Sequence, residues 1–248
     1  MPLPDFLDLG FYLYRQNWKA FGLTVGLPLS VAVMLVIFND ELELFLLYPL
    51  WISFIIINCV ITLTYGLSAK ITDKYFQRKP QPTYISWWLL VWCFAQSFAL
   101  SRIDSYAFLT LLGFAFIIPI GNYPLDYKII ALIYLAINTS VLTYTNNIST
   151  IISSISAHER KSIISSIYKG FILFKRHHNR TTIMSALILI LYLPLVMIWN
   201  YQGFIWPSNW DLPDWVLITA PFVALIMVLP IQSLLFSMLY LSNESYKA

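Results

Sequence analysis

Long apolar runs broken by short polar stretches dominate this chain. Runs near 20–38, 44–67, 105–120, 129–145, 181–199 and 216–241 approach the roughly 20 residues that carry a helix across a bilayer, and 83–101 is a seventh. In hydrocarbon every backbone polar group must be satisfied within its own segment, so runs of this length predict helices. Pro28, Pro194, Pro221 and Pro230 fall inside runs and predict kinks. The breaks include an acidic turn at Asn39, Asp40, Glu41 and Glu43, and a basic one at Lys70, Lys74, Arg78 and Lys79 that Pro80-Gln81-Pro82 closes. The loop 200–215 carries Trp206, Trp210, Trp215, Asp211 and Asp214 without a cation.

Two shorter stretches have a helical period and a polar face. In 159–180, Ile163, Ile167, Phe171 and Phe174 share one face, with Ser162, Ser166, Lys169 and Arg176 opposite. This predicts a helix in the membrane interface, with Arg160, Lys161, Lys169, Lys175, Arg176 and Arg180 near anionic headgroups. Residues 5–19 form a similar helix ending at Arg15, Trp18 and Lys19, which read as interface anchors.

Composition agrees with the pattern. Of 248 residues, 59% are hydrophobic and 11% charged, against about 25% charged in ordinary soluble domains. The expected fold class is an all-α polytopic membrane bundle in one domain, 1–248, with about six spans plus interfacial amphipathic helices. Lys and Arg gather on the cytoplasmic side of spans, which places 70–79 and 160–180 on that side together. An even number of crossings must separate them, yet three apolar runs lie between. The run 83–101, which holds Trp87, Trp88 and Trp92, is therefore expected not to cross fully. Six full spans and two cytoplasmic termini follow, most naturally in a bacterial inner membrane. The start MPLPDFLDLG lacks the basic opening and small-residue cleavage site of a signal peptide, so the first run is expected to be retained.

The sequence also suggests an internal repeat. Gly10-Phe11-Tyr12-Leu13-Tyr14-Arg15 parallels Gly170-Phe171-Ile172-Leu173-Phe174-Lys175. Leu63-Thr64-Tyr65-Gly66-Leu67-Ser68 likewise parallels Met238-Leu239-Tyr240-Leu241-Ser242. The expected organisation is a first repeat over 5–79, central apolar helices over 83–145, and a second, parallel repeat over 159–248. Glu159, Ser166, Lys169, Leu173, Lys175 and Tyr240 follow an order that resembles YciC-like bacterial membrane proteins and the membrane domain attached to some glycerophosphodiester phosphodiesterases. The resemblance implies a helical membrane architecture and no defined activity. Pro119-Ile120-Gly121 between the central runs and Leu241-Ser242-Asn243-Glu244 after the last Tyr depart from that pattern.

Candidate chemistry is sparse. No HExxH, GxSxG or P-loop pattern occurs, and the three histidines lack metal-ligand spacing. No enzyme activity, metal, cofactor or nucleic-acid partner is expected. The two cysteines, Cys59 and Cys93, lie in apolar runs, where buried thiols are the expectation. The spans as drawn contain no ionisable residue, which argues against a proton or ion pathway. Asn58, Asn138 and Gln232 are their notable amides and are expected to bond between helices. Tyr84, Trp88 and Trp92 recur at four-residue steps and predict a partner-docking or bilayer-anchoring stripe. Two classes of function fit. One is a scaffold, assembly factor or complex subunit that contacts a membrane protein partner and anionic lipid. The other is a transporter or channel component for a neutral or lipid-like solute.

Overall fold

A computed structural model describes residues 3–38, 49–78, 85, 87–96, 144–159, 162–188 and 214–245. Its elements are helices, and no strand occurs among the described residues. In chain order they are α1 (Leu3–Gln16), α2 (Trp18–Phe21), a π-helical turn (Gly22–Gly26), α3 (Leu27–Ile37), α4 (Pro49–Tyr75), α5 (Trp87–Gln96), α6 (144–158), α7 (Ile163–Arg176), α8 (178–188) and α9 (Asp214–Ser245). Three stretches are long and apolar enough to cross a membrane: Trp18–Leu35, Ile52–Tyr75 and Ile226–Asn243. The run at 105–120, residues 200–213 of the following loop, most of the run 129–145 and the end of 181–199 lie outside the described residues.

The first span shows how Pro28 is accommodated. Proline cannot donate to the preceding turn, and its ring crowds the carbonyl four residues back. The π-helical turn just before it has the Leu27 amide reaching Gly22 O, one residue further back than in an α-helix. Such a turn is one of the few recognised ways for a helix to absorb an interruption.

Beside an apolar core, the side chains depart from the distribution of a water-soluble protein. Large apolar groups such as Leu23, Leu27, Val31, Met34, Trp87, Ile164, Tyr168 and Phe171 are exposed. Small hydroxyl residues such as Ser68, Thr72, Thr150, Ser153, Ser154, Ser233 and Ser237 are buried. Against lipid this arrangement is favourable. Tails are as apolar as leucine, so small residues that allow close approach and cross-helix bonds collect between helices. It also explains where the observed helices outrun the hydropathy pattern. α4 continues past Leu67 to Tyr75, and α6 carries Ser149–His158 as buried helix beyond the apolar run that ends at Thr145. Hydroxyl residues lower mean hydropathy while packing well.

Three amphipathic helices clasp the bundle with the same spacing of buried positions. α1 buries Phe6, Gly10 and Leu13, and α7 buries Ser166, Gly170 and Leu173. α5 buries Leu89 and Cys93 and half-buries Gln96. A Cβ on Gly10 would stand 2.5 Å from Leu235 Cδ2 of α9, and one on Gly170 2.6 Å from Ile152 Cγ1 of α6. Leu89 and Cys93 share a cluster with Tyr65 and Ala69 of α4. α7 runs back along α6, as a short connection between helices favours, with Phe174 and Tyr144 ring centroids 5.5 Å apart. After α1 and α7 the backbone turns alike. Asn17 and His177 leave the helical region at φ −112°, ψ 16° and φ −116°, ψ 25°. Each donates its amide to the leucine four residues back, Leu13 or Leu173, at 3.1 and 3.0 Å.

Candidate functional site: a polar junction between three central helices

α4, α6 and α9 run parallel, in a register that cross-helix bonds fix. Ser68 Oγ and Ser233 Oγ lie 2.6 Å apart, and Gln232 Nε2 donates to Thr150 Oγ1 at 2.9 Å. About two turns further along α6 and α9, the His158 and Tyr240 rings meet with centroids 5.2 Å apart. Hydroxyl or other polar residues recur at four-residue steps on each helix: Thr64, Ser68 and Thr72; Thr150, Ser154 and His158; Ser233 and Ser237. Four-residue spacing keeps each set on one face. Several hydroxyls satisfy themselves on their own helix, with Thr64 donating to Val60 O at 2.7 Å and Thr72 to Ser68 O at 2.8 Å.

Charge concentrates where these helices end. Asp73 and His158 are 3% and 5% exposed, and His158 Nδ1 lies 3.3 Å from each carboxylate oxygen of Asp73. The hydrogen bond falls to Oδ2, leaving Asp73 Oδ1 and His158 Nε2 without one. Beside this pair, Tyr240 Oη donates to Glu159 Oε1 at 2.5 Å. Lys169 Nζ, from α7, donates to Glu159 Oε1 and Oε2 at 2.5 and 2.6 Å. One junction thus ties α4, α6, α7 and α9. Glu159, Lys169 and Tyr240, well separated in the chain, meet in it.

The expected site residues fall in several environments. Gln232 bonds across helices to Thr150 as expected of an interhelical amide, whereas Asn58 donates within α4 to Phe54 O at 2.9 Å. Lys169 is engaged by Glu159, while Lys175 and Arg176 are exposed and Arg180 is half-buried. Arg176 Nη1 also donates to Asn243 Oδ1 at 3.3 Å. In α7 the face holding Ser166 and Gly170 turns inward to α6, and the face holding Ile164, Tyr168 and Phe171 turns outward. Trp88 is 51% exposed and its neighbour Trp87 80%, but Trp92 Nε1 reaches Ser149 O at 3.4 Å. Asn138, Tyr84, Arg160 and Lys161 lie outside the described residues.

The buried Asp73 changes the expectation that the spans are free of ionisable groups. Asp73 sits in the cytoplasmic basic turn when the second span is ended at Leu67; the observed helix carries it inside as far as Tyr75. His158, one of the three histidines without metal-ligand spacing, is its partner. The one signal pointing inward was the spacing of serines and threonines in 149–156. Outside the spans, burial pushes the Tyr14 phenol above its ordinary range. Among the described residues no group of three or more His, Cys, Asp or Glu is placed to hold a metal ion.

Among the described residues the fold is all-helical, with three helices long and apolar enough to cross a membrane. Comparison with family models, curated proteins and solved structures finds no match for the chain.

Proposed function

We propose that the chain is a non-catalytic integral membrane protein, a scaffold, assembly factor or subunit of a membrane complex that also contacts anionic lipid. The observation that carries the reading is the division of side chains between inside and outside. Gln232, Ser68 and Ser233 spend their polar groups on neighbouring helices, while Trp87, Trp88, Ile164, Tyr168 and Phe171 face outward. The partner-facing stripe is centred on Trp88 and its exposed neighbour Trp87. The lipid-facing surface lies on α7. There Tyr168, Phe171, Ile172, Phe174, Lys175 and His178 line an open groove of about 550 Å³. In this reading acyl chains lie against its apolar side chains, with a headgroup phosphate near Lys175.

The architecture in this reading has six spans, both termini in the cytoplasm, and a repeated unit of one amphipathic helix followed by a hairpin. Three copies fit better than two. Gly10, Cys93 and Gly170 occupy one position in the three amphipathic helices; Gly10 and Gly170 press on Leu235 and Ile152, and Cys93 lies in a cluster with Tyr65 and Ala69 of α4. Each amphipathic helix then packs on the returning helix of the unit before it. α1 on α9 closes the ring.

The test is copurification from mild detergent with Trp87 and Trp88 replaced by Leu. The scaffold reading expects a specific membrane protein to be recovered with the wild type and lost with the variant, at unchanged expression. Recovery of the chain alone in both cases, together with solute flux in proteoliposomes, would favour the transport alternative.

A further inference from the structure

We propose that the C-terminal turns of α1 and α7 are two equivalent sites, each holding one anionic glycerophospholipid by its phosphate, with Arg15 and Lys175 as the matching cations. This rests on the lipid contact read above for α7 and adds a second site on α1. The two helices correspond position by position. From Phe6 to Asn17 and from Ser166 to His177, buried, half-buried and exposed side chains follow in the same order throughout. Arg15 and Lys175 share one exposed position. One turn earlier stand Phe11 and Tyr12 on α1, 46% and 50% exposed, and Phe171 and Ile172 on α7, 53% and 50% exposed. One turn later, Trp18 and His178 share a position, and both rings have a polar edge suited to the interface.

The central helices bring both cations to one level. α6 and α9 are parallel, tied by the Thr150–Gln232 bond and the His158–Tyr240 rings. α1 runs back along α9, with Gly10 at Leu235 and Tyr14 Oη donating to Met227 Sδ at 3.9 Å. α7 runs back along α6 in the same way, with Gly170 at Ile152 and Phe174 at Tyr144. In the α6–α9 register Leu235 is nearly level with Ile152, and Met227 with Tyr144. Both amphipathic helices then lead at once into apolar stretches, α1 into Trp18–Leu35 and α7 into the run 181–199. A cation at that handover meets phosphate oxygens, and the exposed apolar side chains beside it meet acyl chains. Neighbouring cations are otherwise placed. Lys19 Nζ lies over the Trp18 ring at 5.9 Å, Arg176 donates to Asn243 Oδ1, and Arg180 is half-buried. One cation per site matches the single charge of a phosphodiester. The ammonium of a zwitterionic headgroup would be set against that cation, so the sites favour an anionic lipid.

The test is native mass spectrometry of the full chain in mild detergent, titrated with phosphatidylglycerol or with phosphatidylcholine of the same acyl chains. Two phosphatidylglycerol molecules should bind with similar affinity, each about fivefold more tightly than phosphatidylcholine. R15Q and K175Q should each weaken one of the two binding steps about fivefold, and the double variant should weaken both. R15K, which copies the α7 site, should bind as the wild type does. Weakening by K175Q but not by R15Q would overturn the pair of equivalent sites and leave the α7 lipid contact standing. Equal binding of the two lipids by the wild type would remove both the sites and that contact.

Discussion

Gly10 of the first helix lies so close against Leu235 of the last that a Cβ would stand 2.5 Å from Leu235 Cδ2 and 3.2 Å from Cγ. Gly170 stands in the same relation to Ile152. Adding a methyl at either glycine gains about 1 kcal/mol of helix propensity and costs about 1–3 kcal/mol of overpacking. Gly170→Ala and Gly10→Ala should therefore lower stability only slightly. Gly170→Leu cannot be absorbed by a neighbouring side chain and should lower it by several kcal/mol or displace α7. Thermal unfolding in detergent, followed by tryptophan fluorescence, separates the two. Equal stability of the alanine and leucine variants would show that α7 does not press on α6.

Glu159 is the hub of the junction, so its partners should be energetically coupled. The Lys169 and Glu159 side chains are 33% and 14% exposed, which puts the pair between a surface bridge and a buried one. Lys169→Met should cost about 1–3 kcal/mol, between the surface and buried limits. Tyr240→Phe removes a bond to a charged acceptor and should cost about 1.5–3 kcal/mol. A double-mutant cycle should return a coupling of at least 0.5 kcal/mol. Strict additivity would mean that the two bonds do not share Glu159 in solution.

The same lysine separates packing from lipid contact. Lys175 and Arg176 are exposed and Lys169 is ion-paired, so neutralising either or both of Lys175 and Arg176 with Gln should reduce binding to anionic vesicles while Lys169→Met leaves it unchanged. Two cations at about 1 kcal/mol each amount to roughly a thirtyfold loss. The preference should fade with salt, because exposed charges are screened beyond about 8 Å at physiological ionic strength. Vesicle flotation with reconstituted protein, at two salt concentrations, measures it. An equal loss in all the variants would point to a folding defect instead.

Much of the helical pattern was legible because apolar length and period report it directly. The equivalence of Gly10 and Gly170 was visible as a local match, and both glycines occupy close helix contacts. The inward face of α7 was not legible. Hydrophobicity points Ile163, Ile167, Phe171 and Phe174 at whatever is apolar, and in a membrane that is lipid as readily as core. The buried face holds Ser166 and Gly170, small rather than apolar. The Asp73–His158 pair was hidden for a related reason. Hydropathy ends a span where charge begins, and Lys70 and Lys74, exposed on the outer face of α4, masked an acid on its inner face.

Sidedness gives a further prediction. The proposed topology places the clusters of Lys and Arg at 70–79 and 160–180 on the cytoplasmic side. Single cysteines at Asp40 and Asn209, in a chain whose Cys59 and Cys93 are serine, should react with an impermeant maleimide from outside intact cells. Cysteines at Lys74 and Lys175 should react only after permeabilisation. Labelling of Lys175→Cys from outside would remove the even-crossing argument and with it the six-span count.

The three-unit arrangement makes the sharpest structural prediction, because it specifies three equivalent contacts. A disulfide needs Cβ atoms about 3.5–4.5 Å apart. At Gly10 the ideal Cβ is 3.2 Å from Leu235 Cγ, and at Gly170 it is 3.7 Å from Ile152 Cα. Both separations leave the pairs Gly10→Cys with Leu235→Cys, and Gly170→Cys with Ile152→Cys, within bridging range. On α4 the native Cys93 has Thr62 within hydrogen-bond reach, so the third bridge should be Cys93 with Thr62→Cys. Mild oxidation in membranes, with unpaired native cysteines replaced by serine, should form all three bridges. A protease site inserted in an external loop makes each visible as two fragments held together until reduction. A two-unit repeat needs the first two bridges and places no demand on the third. Failure of the Cys93 pair alone, with the other two formed, would therefore reduce the unit count to two and free α5 to be a helix of another kind.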